Sequence, residues 1–146
     1  MFIRRALLAI VALFVIAQVI PYGRAHTNPP VVAEPTWDSP ATRALAKRAC
    51  FDCHSNETTW PWYSHVAPIS WFLQSHVDDG RQRLNFSEWN KPYRAASKAS
   101  REVKSGGMPL SSYLLLHAEA RLSDAEKADL ARGLDASLGS GSATPR

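Results

Sequence analysis

Apolar residues in this chain fall into one continuous run and four periodic stretches. Residues 6–20 form a fifteen-residue, almost wholly apolar block behind Arg4 and Arg5. The other stretches carry helical spacing. Ser39-Pro40 offers an N-cap followed by proline at the first helical position, and residues 41–48 continue with strong helix formers. Behind Pro68, the residues Ile69, Phe72, Leu73, His76 and Val77 recur every three or four positions and draw one stripe that ends at Gly80. Over residues 88–105, Trp89, Tyr93, Ala96 and Val103 share a face, and Gly106-Gly107 marks the stop. Ser123-Asp124-Ala125-Glu126 reads as a capping box opening a last helix to residue 138, with Ala131, Leu134 and Leu138 inward. The pattern predicts an all-α domain.

Between these stretches the chain is punctuated by breakers. Residues 21–38, with Pro21, Asn28-Pro29-Pro30 and Pro35, cannot form a continuous helix and read as an extended Pro-rich tether in which His26 has no special role. Residues 55–67 form a loop by their proline and turn residues, yet hold Trp60, Trp62, Tyr63 and His65. From Gly139 the composition is Gly/Ser-rich and reads as a disordered tail. The expected organisation is a signal-anchor or transmembrane helix over residues 1–20, the tether over 21–38, one domain over 39–138 and the tail over 139–146.

Charge changes the picture little. The chain of 146 residues carries 17 Lys and Arg against 13 acids; without residues 1–20, which hold two arginines and no acid, the net charge is about +2. The cations are dispersed, which excludes a dense basic face for nucleic acid. Positive charge ahead of the apolar block is the arrangement of an export signal, and it places everything after Pro21 outside the cytoplasm. Gly23-Arg24-Ala25 is a mediocre cleavage site, so an uncleaved anchor on the periplasmic side is expected, with a soluble periplasmic protein as the alternative.

The chemistry is concentrated in residues 50–54, Cys-Phe-Asp-Cys-His. Two thiols three positions apart, followed directly by histidine, are what covalent attachment of one c-type haem requires. On a helical turn Cys50 and Cys53 share a face and reach two vinyl groups of one porphyrin, while His54 supplies the axial imidazole. A redox dithiol or half a zinc site are the competing readings. The strand-helix-strand setting of the first is missing, and a zinc site would have to recruit histidines in a chain with only two cysteines. With both thiols committed to haem, no disulfide is left to staple a small domain, and the porphyrin's apolar face serves instead.

Met108, between Gly106-Gly107 and Pro109, is the expected sixth ligand, since a thioether opposite histidine suits a c-type iron and stiff or permissive backbone positions it. His76 and His65 are the alternative distal ligands. Trp60, Trp62 and Tyr63 are candidate walls of the haem pocket, a reading that overlaps with ordinary core packing. Arg94, Lys98, Arg101 and Lys104 form a basic helix face, either solvated or turned to an acidic redox partner.

The strings 50–58, Pro61-Trp62-Tyr63, Pro68-Ile69-Ser70-Trp71, Leu84-Asn85-Phe86-Ser87 and Leu115-Leu116-His117 together resemble the bacterial haem-binding domain proteins, which have one Cys-X-X-Cys-His motif and an N-terminal hydrophobic segment. The resemblance implies haem binding outside the cytoplasm. More broadly, the chain is similar to small cytochromes c, in which a motif-bearing first helix crosses the last helix and a Met-Pro loop supplies the sixth ligand. Those proteins pair a glycine and an aromatic on the first helix with an aromatic on the last, a pairing that residues 41–49 and 124–138 do not carry. The expected function is therefore a membrane-tethered electron carrier rather than an enzyme, served by unidentified redox partners. A haem protein with an open site, acting as a peroxidase-like enzyme or a sensor, is the alternative.

Overall fold

A computed structural model describes residues 1–139 of the chain. Among these residues the architecture is helical: α1 (Phe2–Ala17), α2 (Pro40–Ala49), α3 (Phe51–His54), α4 (Ile69–Arg83), α5 (Ala99–Ser105), α6 (Ser111–Leu114) and α7 (Asp124–Leu138), with short 3-10 turns at Trp62–His65, Ala96–Lys98 and Ala118–Ala120. The only sheet-like pairing described is one parallel bridge between Ala33 and Glu88.

The caps act as their residue types dictate. Ser39 Oγ accepts from the Thr42 amide at 3.1 Å, and Pro40 occupies the first turn of α2. At α7 the capping box is complete: Glu126 N donates to Ser123 Oγ at 3.2 Å and Ser123 N donates to Glu126 Oε2 at 2.8 Å. Gly106 closes α5 with φ +75°, a left-handed conformation that side chains disfavour.

α2 and α7 pack against each other although the glycine–aromatic pairing is missing. Gly133 of α7 lies against Thr42 of α2 so closely that a Cβ at 133 would run into the threonine side chain. One small residue on the last helix therefore does what the usual pairing does elsewhere. The core beneath this contact is Ala46, Phe51, Phe86, Leu130, Ala131 and Leu134, all nearly inaccessible to solvent. Phe51 and Phe86 stack with centroids 5.6 Å apart, and Trp37 joins them at 5.2 Å from Phe86.

Four expectations need correction. The helix expected over residues 88–105 begins only at Ala99, after the turn Ala96–Lys98, because Pro92 has no amide hydrogen to offer and its ring excludes a helical turn before it. The tether is extended, as its prolines require, but lies on the domain: Trp89 N donates to Ala33 O at 2.9 Å, Asn28 Nδ2 to Thr58 O at 2.8 Å, and Glu34 holds Arg43 through both carboxylate oxygens. His26, expected to be idle, stacks on Trp60 at 4.7 Å and contacts Ser64 O at 3.1 Å through Nε2.

The fourth concerns the anchor. α1 has 16 residues and no buried one, and no described helix is long and apolar enough to cross a membrane. At a rise of 1.5 Å per residue it measures about 24 Å, less than the roughly 30 Å of a hydrocarbon core. Its C-terminal end is fixed to the domain, since the Gln18 amide donates to Ala67 O at 2.9 Å and accepts from Ala67 N at 3.1 Å. The tail beyond Gly139 lies outside the described residues.

Candidate functional site

The motif occupies the junction of α2 and α3, so the two cysteines begin and nearly end one helical turn; His54 N donates to Cys50 O at 2.9 Å. Both thiols are free. Burial pushes the Cys50 thiol up to about 12, with Cys53 adding to it, and the Cys53 thiol up to about 11, with Asp52 adding to it. A dithiol oxidoreductase depends on a lowered thiol pKa, so these cysteines are in the wrong environment for one. Among the described residues no group of three or more His, Cys, Asp and Glu is placed to hold a metal ion, which leaves the zinc reading without ligands.

His54 is oriented by backbone. Its Nδ1 lies 3.0 Å from Gly80 O and 3.0 Å from Leu84 O, so Nδ1–H is the donor and the Nε2 lone pair is left for a ligand. Burial holds its pKa below the ordinary histidine value, so the ring stays neutral. The two carbonyls come from the end of α4 and the residue after it, and α4 can approach this closely because Gly80 has no side chain. A Cβ there would overlap the Cys53 carbonyl. Phe86 N closes the frame with a 2.8 Å hydrogen bond to His54 O.

The residues between the cysteines serve different ends: Phe51 goes into the core, whereas Asp52 organises the rim. Asp52 accepts from Thr59 N at 2.9 Å and from Tyr113 Oη at 2.6 Å, tying α3 to the loop and to α6. Arg81 Nε donates to Ser55 O at 2.8 Å and its other nitrogens reach Thr27 O, Asn28 Oδ1 and Thr58 Oγ1.

Three cavities meet around α3. The largest, about 750 Å³, is lined by Cys50, His54, Arg83, Tyr93 and Met108 among others. A second, about 230 Å³, is lined by Cys50, Cys53, His54, His76, Met108 and Tyr113. Four residues, Cys50, His54, Arg83 and Met108, border both. The third, about 130 Å³ and apolar, lies on the Cys53 side and includes Trp60, Tyr63, His76 and His117.

The chain matches the haem-binding domain family over residues 12–136. It belongs to that family. No curated protein and no solved structure matches it. Haem binding is what the family shows, and the donor set around α3 fits that group: a neutral imidazole with one free nitrogen, a thioether and two thiols border these cavities.

The residues singled out in the sequence are thus only partly brought together. Cys50, Cys53, His54 and Met108 share one space, and His76 borders its smaller part, with Nδ1 2.8 Å from Phe72 O. Trp60 and Tyr63 border the third cavity instead. Trp62 is 78% exposed, and exposed His65 packs edge-on against His26 at 4.4 Å; neither borders any of the three cavities. Sequence reasoning missed the Gly80 and Leu84 carbonyls, Tyr113, and the cations Arg83, Arg94 and Lys98 on the large cavity. The carbonyls carry no residue signature; residues 94 and 98 do, as part of the basic face, but spacing alone points that face to solvent or a redox partner and not to a cavity.

Proposed function

We propose that this protein is a c-type cytochrome that carries single electrons on the periplasmic side of a bacterial inner membrane, between partner proteins yet to be identified. The observation that carries the reading is the fixed His54 ring, with a free Nε2, and Met108 on the smaller cavity that both cysteines border. In this reading Cys50 and Cys53 would hold the porphyrin through thioethers, and His54 Nε2 and the Met108 thioether would be the iron's protein ligands. The bound haem supplies a one-electron couple. The chain's part is to hold that couple still: the His54 ring is clamped by Gly80 and Leu84, and Met108 follows the helix stop at Gly106, its amide donating to Glu102 O at 3.1 Å. Export is supported by Arg4 and Arg5 ahead of the apolar run. Attachment to the membrane belongs to the same proposal, as association of the exposed apolar α1 with the bilayer.

Protein expressed with a haem-attachment apparatus should keep its haem after denaturation and acid extraction; complete release would sink the covalent assignment. His76 on the smaller cavity favours a second reading, an open-site haem protein with peroxidase-like or sensing activity and His76 as distal ligand or acid-base group. Carbon monoxide separates the two, since a closed His54/Met108 site leaves the reduced spectrum unchanged, whereas an open one shifts it.

A further inference from the structure

The large cavity has a polarity that the iron ligands do not explain. Of the thirteen arginines and lysines of residues 39–138, nine have an acidic or carbonyl partner: Arg43 with Glu34, Lys47 with Glu57, Arg48 with Glu126, Lys91 with Glu88, Lys104 with Asp135, Lys127 with Asp124, Arg132 with Asp129, and Arg81 and Arg121 with oxygens of the chain. Four have no side-chain partner among the described residues: Arg83, Arg94, Lys98 and Arg101. Three of those four, all but Arg101, line the 750 Å³ cavity together with Cys50, His54 and Met108.

Their placement follows from the fold. Arg83 is the last residue of α4, one position before the Leu84 carbonyl that holds His54, whereas Arg94 and Lys98 come from the segment that Pro92 keeps out of α5. Cys53 does not border this cavity, so the cations gather where the second thioether does not reach. Glu102 is the acid on the cavity wall and Asp79 borders the smaller one, but neither lies within ion-pairing distance of the three. A haem carries two carboxylates on the edge opposite its vinyl groups. A dianion entering here therefore meets unpaired cations in the same cavity as Cys50, His54 and Met108.

We propose that Arg83, Arg94 and Lys98 form the site for the two propionate carboxylates of the haem and so fix which edge of the porphyrin points inward along α4 and α5. This rests on the haem-site reading above. The three are positioning residues: they select the in-plane rotation of the porphyrin that brings its propionate edge to them. Charge-assisted hydrogen bonds of this kind are the strong ones, and guanidinium forks match carboxylates in pairs.

The test separates orientation from ligation. Full-length apoprotein is titrated with iron mesoporphyrin, which has no vinyl groups and cannot form thioethers, and with its dimethyl ester, whose carboxylates are neutral. The wild type is expected to bind the free acid on the order of tenfold tighter than the diester. In R83Q/R94Q/K98Q the two affinities should converge to within about twofold, whereas R101Q, which removes the unpaired cation off the cavity, keeps the preference. Equal affinities in the wild type, or a preference that survives the triple substitution, overturns the proposal while leaving the haem site standing. If neither porphyrin binds, both readings fall. Circular dichroism of each variant verifies folding, and the propionate bending bands in the resonance Raman spectrum of the exported holoprotein, shifted in R94Q and not in R101Q, provide a readout independent of affinity.

Discussion

At the scale of single residues, the site depends on atoms that the motif does not name. In the proposed reading His54 can act as a ligand because two carbonyls accept a hydrogen bond from its Nδ1–H, and those carbonyls are in reach because residue 80 is glycine. Gly80→Ala should therefore do more than perturb α4. Overpacking of this kind costs about 1–3 kcal/mol, and here the displaced helix also withdraws the Gly80 carbonyl from the imidazole. Denaturant unfolding should show the lost stability, and spectroelectrochemistry of the loaded protein an altered reduction potential; an unchanged potential would dissociate the clamp from the ligand. Met108→Ala tests the opposite face. It should leave haem attached through Cys50 and Cys53 but admit imidazole or cyanide to the iron, read as a spectral shift on titration that the wild type lacks.

Among the elements, the decisive contact is α2 on α7. Gly133→Ala places a methyl group into the Thr42 side chain and should destabilise the fold by about 1–3 kcal/mol. Thr42→Ala in the same chain should recover part of the loss, so a double-mutant cycle by urea unfolding should give a clear coupling energy. A zero coupling would mean that the two helices do not meet there. The start of α7 carries a pH dependence. The Arg48 guanidinium, with help from Ser123, holds the Glu126 carboxyl down at about 2, below its unfolded value. A depressed carboxyl stabilises the fold above its unfolded pKa and loses that contribution as pH falls toward the folded one. Thermal melts should therefore show the wild type losing stability from about pH 4.5 downward toward pH 2, with a shallower acid limb in Glu126→Gln.

For the molecule as a whole, the segment between the apolar helix and the domain turns out to be a structural component. Trp37 packs on Phe51 and Phe86, Glu34 grips Arg43, and Arg81 of α4 reaches back to Thr27 and Asn28. The haem motif is thereby braced from behind by the residues that precede its domain. Trp37→Ala should cost roughly 2–4 kcal/mol, toward the lower part of the range for deleting a large aromatic because the ring is only half-buried. Calorimetry of the full chain checks it: a melting temperature equal to that of the wild type would mean that the segment is a loose tether after all. The same arrangement makes the N-terminal region a poor place to truncate in any expression strategy.

Helix caps, stops and the cofactor were legible in the chain because each is a local matter. A serine N-cap with proline after it, a capping box, a left-handed glycine and a Cys-X-X-Cys-His turn act within a few positions, where residue type and spacing carry the physics. The family, too, could be recognised from strings of adjacent residues, and the match over residues 12–136 agrees. Everything that depends on which distant groups meet was decided by tertiary structure. Pro92 shortened a helix that its own apolar spacing supported, Trp62 and His65 turned away from the site, and backbone carbonyls of α4 took charge of His54. Arg94 and Lys98, two cations of the basic face, joined Arg83 on a cavity. Side-chain sequence spacing specifies faces of elements; only packing specifies which faces enclose a space, and a haem site is such a space.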